Sequence, residues 1–178
     1  MTNYSLEDNK VFVGWPKIPR WENEKWTYTE KIDGTNACVA IHNDGTYHCQ
    51  SRSRIITPEN DNFGFATWVS NNESEVLKLG PGYHYGEWAG LGIQRGYDAK
   101  EKTFFLFDQL RWKKEELLPT NVVRLVPGFG GSETPERTLE DFIEHGSSLA
   151  YPGYNRPEGL IMRSSLDRGR LYKLIIDK

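Results

Sequence analysis

Apolar and polar positions alternate through "KWTYTEKI", residues 25–32, with Trp26 and Tyr28 on one face and Thr27 and Thr29 on the other. A period of two over aromatic and β-branched residues predicts a strand. "NACVAIH" and "TYHCQS" flank "NDG", the pattern of a hairpin. With the turn centred on Asp44-Gly45, Ala40 faces Cys49 and Ala37 faces Arg52, and the returning strand carries Ser51 to Arg54 back towards Lys31. Residues 63–79, "FGFATWVSNNESEVLKL", are predicted helical, with Phe65, Val69, Val76 and Leu77 as the apolar positions. "GYHYGEWAG" and "KTFFLFDQLRW" read as strands, and "VVRLV" as another. Pro135 opens "ERTLEDFIEHG" as a helix closed by Gly146, since proline suits the first turn and glycine the C-terminal stop. "EGLIMRS" and "RLYKLII" end the chain as two strands. Strands with interspersed helices and no regular βαβ alternation predict an α+β fold with mainly antiparallel sheet.

Composition narrows the class. The chain has 178 residues, 37% hydrophobic and 13% aromatic, with six tryptophans, so a real core is available to one domain. No apolar run approaches the ~20 residues of a membrane span, and "MTNYSLEDNK" lacks the basic and apolar segments of a signal peptide. Cys38 and Cys49 make no metal-type cluster, and reduced buried thiols are the expectation. A net charge of −3 argues against bulk nucleic-acid binding but leaves room for a local basic surface. These features predict a cytoplasmic protein.

The candidate chemistry begins at Lys31-Ile32-Asp33-Gly34, where a strand ends in a lysine beside a tight turn. Alone, this is a turn dipeptide with a solvated lysine. Its companions change the weight: "SRSR" about 20 residues on, Glu87 inside the aromatic strand "YGEWAG", Phe107 in "FFLFDQL", Glu158 at the head of "EGLIMR", and Lys173 inside "LYKLI". Each also has a plain reading. Glu87 could be an edge charge, Phe107 core, and Lys173 a snorkelling surface lysine.

In this order the set closely resembles the covalent nucleotidyltransferase superfamily of polynucleotide ligases and mRNA capping enzymes. "KIDGTN" is similar to motif I, "SRS" to Ia, "YGEW" to III, "FLFD" to IIIa, "EGLIMR" to IV and "YKLI" to V. Asn36, where DNA ligases usually carry arginine, and "SRSRIITPENDNFGF" resemble the RNA ligases of the phage and trypanosome-editing branch. The resemblance implies a ligase/capping-enzyme nucleotidyltransferase (adenylyltransferase) domain and an ATP-dependent RNA ligase of RNA repair. It would join 5′-phosphate to 3′-hydroxyl RNA ends, nicked or base-paired, using ATP and Mg²⁺ or Mn²⁺. The alternatives are DNA nick sealing, capping guanylyl transfer, and a nucleotide- or RNA-binding module that does not ligate.

By the same resemblance, Lys31 is the nucleophile that takes AMP, and Arg163 and Lys173 serve the phosphates. Glu30, Lys31, Ile32, Asn36, Arg52, Glu87, Phe107, Glu158 and Lys173 hold the nucleotide, and Glu158 and Asp33 hold a hydrated metal ion. Arg54 competes with Arg52, and Phe105, two residues from Phe107 on the same strand face, is the fallback adenine stack. Where the family has Lys-x-Lys, this chain has Lys173-Leu174-Ile175, with Arg168 and Arg170 as candidate substitutes. Arg111, Lys113 and Lys114 of "RWKK" are candidates for a local RNA grip. The chain ends five residues after Lys173, so the expectation is one nucleotidyltransferase domain over 1–178 with no C-terminal OB-fold.

Overall fold

The computed structural model describes residues 24–167 and 169–176. β1 (Trp26–Glu30) passes through residues 31–34 into β2 (Thr35–Ile41), and a tight turn returns the chain as β3 (Tyr47–Ser51) before the short β4 (Ile55–Ile56). α1 (Phe65–Asn71) and α2 (Glu73–Val76) lead to β5 (Gly82–Gly90), β6 (Lys102–Leu106), β7 (Val123–Leu125) and β8 (Gly128–Phe129). α3 (Pro135–His145), β9 (Gly159–Ser164) and β10 (Leu171–Ile175) complete the described chain. The strands form a six-stranded sheet, β4-β3-β2-β5-β6-β7, and a four-stranded sheet, β10-β9-β1-β8. Every pair between these strands is antiparallel except β6–β7. This is the α+β, mainly antiparallel fold that the pattern predicts.

The hairpin differs from expectation by one residue. Ala40 faces His48 and Ala37 faces Ser51. The loop takes three residues rather than two: His42 N–H donates to Thr46 C=O at 2.8 Å, and Gly45 sits at φ 84°. A type I turn followed by a left-handed glycine makes that longer loop. One residue of slip moves side chains to the opposite face. Cys49 therefore joins the core beside Val39, and His48 goes to the open face with Ala40.

Two further differences come from local polar groups. The helix over 63–79 is broken at Asn72, whose φ of −119° leaves the helical region while its side-chain amide donates to Trp68 C=O. The strand over 102–112 stops at Leu106. Asp108 Oδ1 accepts the N–H groups of Leu110 and Arg111, and this Asx turn bends the chain away. Phe107 is thus left just beyond the strand end. α3 forms as expected: the Thr134 hydroxyl accepts Arg137 N–H, and Gly146 closes the helix in the left-handed region.

Three apolar clusters hold this arrangement. Val39, Phe65, Val69, Trp88 and Phe104 pack one face of the six-stranded sheet against α1 and α2. Phe142 of α3 covers Tyr28, Leu160 and Met162 of the four-stranded sheet. Ile32, Ala89, Tyr97, Phe105, Val126 and Tyr154 form the third cluster, where the two sheets meet. Cys38 and Cys49 are buried free thiols, pushed by burial up to about 11 and about 12, which keeps them protonated. Among the described residues no helix is long and apolar enough to cross a membrane.

Candidate active site

Lys31 leaves β1 with its N–H donating to Gly159 C=O at 2.9 Å, so the lysine is fixed to the start of β9. Glu158, one residue earlier, meets it: Nζ and Oε2 are 2.5 Å apart, with both side chains about a fifth exposed.

The turn after Lys31 presses against β5. A Cβ on Gly34 would lie 2.4 Å from Trp88 C=O and 2.9 Å from Ala89 Cβ, so only glycine fits this approach. Glu87 locks the turn: Oε1 accepts Gly34 N–H at 3.1 Å and Oε2 accepts the Asn36 amide at 2.9 Å. Burial pushes the Glu87 carboxyl up to about 7, against the pull of the Gly34 N–H and the Lys31 charge. Strand pairing places Asn36 opposite Glu87 and Glu87 opposite Phe105.

Beyond this row opens a cavity of about 420 Å³, lined by Asn36, Cys38, Gln50, Arg52, Tyr85 and Phe107. Its size is that of a small-ligand pocket. The hairpin slip helps to build it: extrapolated past β3, the observed register sets Arg52 across from Asn36 rather than Ala37. Arg54, the rival, donates to the Asn60 and Asp61 carbonyls at 2.8 and 2.9 Å and braces the loop instead. Phe107 packs partly against the junction cluster and keeps a side in the cavity. Phe105 is fully buried in that cluster and does not line the cavity.

On the four-stranded sheet, register places Thr29, Ile161 and Lys173 in one row and Thr27, Arg163 and Leu171 in the next. Alternation puts Lys31, Lys173 and Arg163 on one face. Arg163 is half-buried and Lys173 exposed.

Other residues singled out by sequence have different surroundings. The Glu30 side chain points away from this face and is sealed: Ser148 O–H donates to Oε1, and the Leu149 and Ala150 N–H groups donate to Oε2. Ile32 is core. Asp33 is paired with Arg95, Nε to Oδ2 at 2.8 Å, and its N–H donates to the Tyr97 hydroxyl. A larger cavity of about 760 Å³ lies by this pair, its lining including Asp33, Arg95, Tyr154 and Arg156; Lys31, Glu87 and Glu158 line neither cavity. Arg170 is committed to Glu24 at 3.0 Å and lies over Trp26, which removes it as a stand-in for a second motif V lysine. Arg168 lies outside the described residues. Arg111 donates to the Leu79 and Pro81 carbonyls, so it braces a turn, while Lys113 and Lys114 are exposed.

Arg95 and Tyr97 escaped the sequence reading. They contact Asp33 from more than 60 positions away, in a segment without periodicity. Gln50 and Tyr85 were within reach: both stand on the open face of strands that alternation identifies.

No group of three or more His, Cys, Asp or Glu among the described residues is placed to cage a metal. The oxygen donors at hand, Glu158 and Asp33, are each paired with a cation. Such a set suits a hard ion that keeps its waters and shares a substrate's phosphates, rather than a dehydrated structural ion.

A family model described as RNA ligase matches residues 24–175. A solved Naegleria gruberi RNA ligase variant with ATP and Mn is 22% identical at TM-score 0.61, over 85% of this chain and 48% of that one. A second variant with ATP and Mn is 20% identical, again at 0.61, over 92% and 56%. The Naegleria gruberi ligase with PPi gives 22% identity and 0.61 over 85% and 49%. The chain spans about half the length of these structures, and at such identity they show the shared fold. With the family model spanning β1 to β10, the chain belongs to the RNA ligase family.

Proposed function

We propose that this chain is an ATP-dependent RNA ligase working through a lysyl-AMP intermediate. One observation carries the reading. Lys31, fixed at the end of β1, faces Glu158 at 2.5 Å, and Glu87 locks the turn that follows through Gly34 and through Asn36, itself a wall of the cavity. In this reading the neutral Lys31 amine attacks the α-phosphate of ATP. An N–P bond forms, the α–β bridging P–O bond breaks, and pyrophosphate leaves with the electron pair. Glu158, nearest the amine, is placed to take its proton. The AMP then passes to an RNA 5′-phosphate, and a 3′-hydroxyl displaces it as the strands join.

Phe107 gives adenine a flat apolar wall, and Glu87 a carboxylate for the ribose hydroxyls. Asn36 and Arg52 stand where the phosphates leave the cavity. Arg163 and Lys173 supply positive charge from the opposite sheet, set in place before phosphate charge builds up. A hydrated Mg²⁺ or Mn²⁺ would be held by Glu158 and Asp33, and it supplies charge to the triphosphate. The substrates are RNA ends, 5′-phosphate and 3′-hydroxyl, on a nicked or paired duplex, and the setting is a cytoplasm.

Intact-mass measurement after incubation with ATP and Mg²⁺ tests the first step. The expected gain is one AMP, absent in Lys31→Ala. Labelling by GTP instead of ATP, or sealing of DNA nicks in preference to RNA, would replace this reading with a sister activity. No label with either nucleotide would leave a binding module.

A further inference from the structure

The cavity does not end at Tyr85. On the same open face of the six-stranded sheet, strand register sets out successive rows: Glu87 and Asn36, then Tyr85, Cys38 and Gln50, then Tyr83, Ala40 and His48. His42 follows on the same face of the hairpin. The central residues, Cys38 and Ala40, are small and buried. They make the floor of a trough with rings along its sides. Tyr83 and Tyr85 are 59% and 52% exposed, and their rings stack at 6.0 Å between centroids and 14° between planes. His48 meets Tyr83 edge-on at 6.3 Å, and His42 stacks on His48 at 5.1 Å. At successive same-face positions the three rows from Glu87 to Tyr83 run over about 13 Å.

Exposed tyrosines on a strand are ordinary one at a time. These are not scattered. They form one continuous aromatic line, and it begins at the cavity that Tyr85 itself lines. The opposite face of this sheet is packed by α1 and α2, whereas this one is open. At the cavity end stands Arg52, an exposed guanidinium suited to a phosphate. Flat rings in series, polar ring edges and a cation at one end match the chemistry by which proteins hold single-stranded nucleic acid.

We propose that the line Tyr85–Tyr83–His48–His42 is a stacking track for unpaired nucleotides adjoining the RNA end that reacts at Lys31. This rests on the reading of the cavity as the nucleotide site. Every base has a π-face, so the track holds a strand without reading its sequence. A strand whose end reacts at Lys31 has to run out over the surface, and the trough is an open route along the sheet.

The test uses a short, fluorescently labelled, 5′-phosphorylated single-stranded RNA, with binding measured without ATP across a salt series. Adenylylation of the same preparations is followed separately by intact mass. Tyr83 is the residue to change, because it is exposed and does not line the cavity. Tyr83→Ala should weaken binding by roughly fivefold to a hundredfold, the size of one lost base stack. Tyr83→Trp should restore it, and Tyr83→Leu should not. The salt slope should be the same in all, since no phosphate contact is removed, and AMP loading of Lys31 should be unchanged.

Wild-type affinity in Tyr83→Ala would overturn the track while leaving the nucleotide site standing. So would rescue by leucine as good as by tryptophan, which would make the contact merely apolar. A loss confined to duplex RNA, or a dimer of the chain that Tyr83→Ala dissociates, would assign the face to another partner and overturn the track as well. Failure of the wild type to load AMP would sink the reading of the cavity, and the track with it.

Discussion

On the six-stranded side of the cleft, the carboxylate and the amide beside the cavity are already held. Glu87 binds Gly34 and Asn36, β5 fixes Glu87, and a packed core lies behind the sheet. On the four-stranded side, one cation stands in solvent. Lys173 is exposed on the edge strand β10, and among the described residues no side chain pairs with it. Lys31, by contrast, is tied to Glu158 at 2.5 Å. In the proposed reaction this division fits the substrate. Adenosine is neutral and gains from a preformed pocket, because little ordering is left to be done on binding. Triphosphate is highly charged, and unpaired cations waiting for it would be costly if deeply buried. Exposure keeps Lys173 inexpensive until phosphate arrives.

The sharpest break of this comparison is at Lys31. Lys31→Ala should fold normally, because the side chain is outside the apolar clusters, yet show no AMP adduct by intact mass. Lys31→Arg should fail equally, since a guanidinium stays protonated and cannot attack. An adduct on either variant would assign the nucleophile to another residue, with Lys173 on the same face the first to test.

Next come two residues whose loss should be felt in stability. Glu30→Ala would orphan a hydroxyl and two backbone N–H groups at residues 148–150. Buried donors left without partners cost about 1–3 kcal/mol each, and here they share one carboxylate, so about 3 kcal/mol or more is expected. Phe105→Ala would open the junction cluster at a cost of about 3–5 kcal/mol. Urea unfolding measures both. Losses below about 1 kcal/mol would mean that the junction between the sheets is softer than its packing implies.

The held side should also carry a pH signature. Burial raises Glu87 to about 7, well above an ordinary carboxyl. The folded state therefore keeps a proton that the unfolded chain gives up, and stability falls as pH rises from about 4.5 to about 7. Below that window the contribution is fully present; above it the loss is complete, on the order of 3 kcal/mol. Glu30 is raised too, so the wild-type slope is a sum. The measurement is the difference between wild type and Glu87→Gln in urea titrations across that range. Parallel curves would show that Glu87 is better solvated than its surroundings imply.

How far the sequence foretold this depends on the range of each contact. Alternation located β1, β2, β3, β5, β9 and β10, and proline and glycine marked α3, because these signals are local. The three-residue hairpin loop was missed because Asn-Asp-Gly serves two turn types, and only the paired strands decide between them. That slip mattered at the site, since it determines which residue stands beside Arg52. The ordered motifs carried Lys31, Glu87 and Glu158 into one neighbourhood. They were silent on the Asp33–Arg95 pair and on the sealing of Glu30, which arise from loops packed by the tertiary fold.

The smallest effect separates Phe107 from its neighbour. Both rings belong to "FFLFD", and alternation puts them on one strand face. The Asx turn at Asp108 ends β6 between them, so one is core and the other is a cavity wall. Phe107→Ala should therefore leave stability within about 1 kcal/mol, since the ring is only partly packed. Its use of ATP should weaken by the worth of one stack, about 1–3 kcal/mol, or roughly fivefold to a hundredfold in the ATP concentration that gives half-maximal AMP loading. Phe107→Trp should recover most of the loss. The saturated loading rate should change less than the half-saturating concentration, because the ring touches the base and not the phosphate under attack. A Phe107→Ala protein with unchanged ATP dependence would show that the adenine wall lies elsewhere. Phe105 has no open face to provide it, so the search would then turn to Tyr85, which stands across the same cavity.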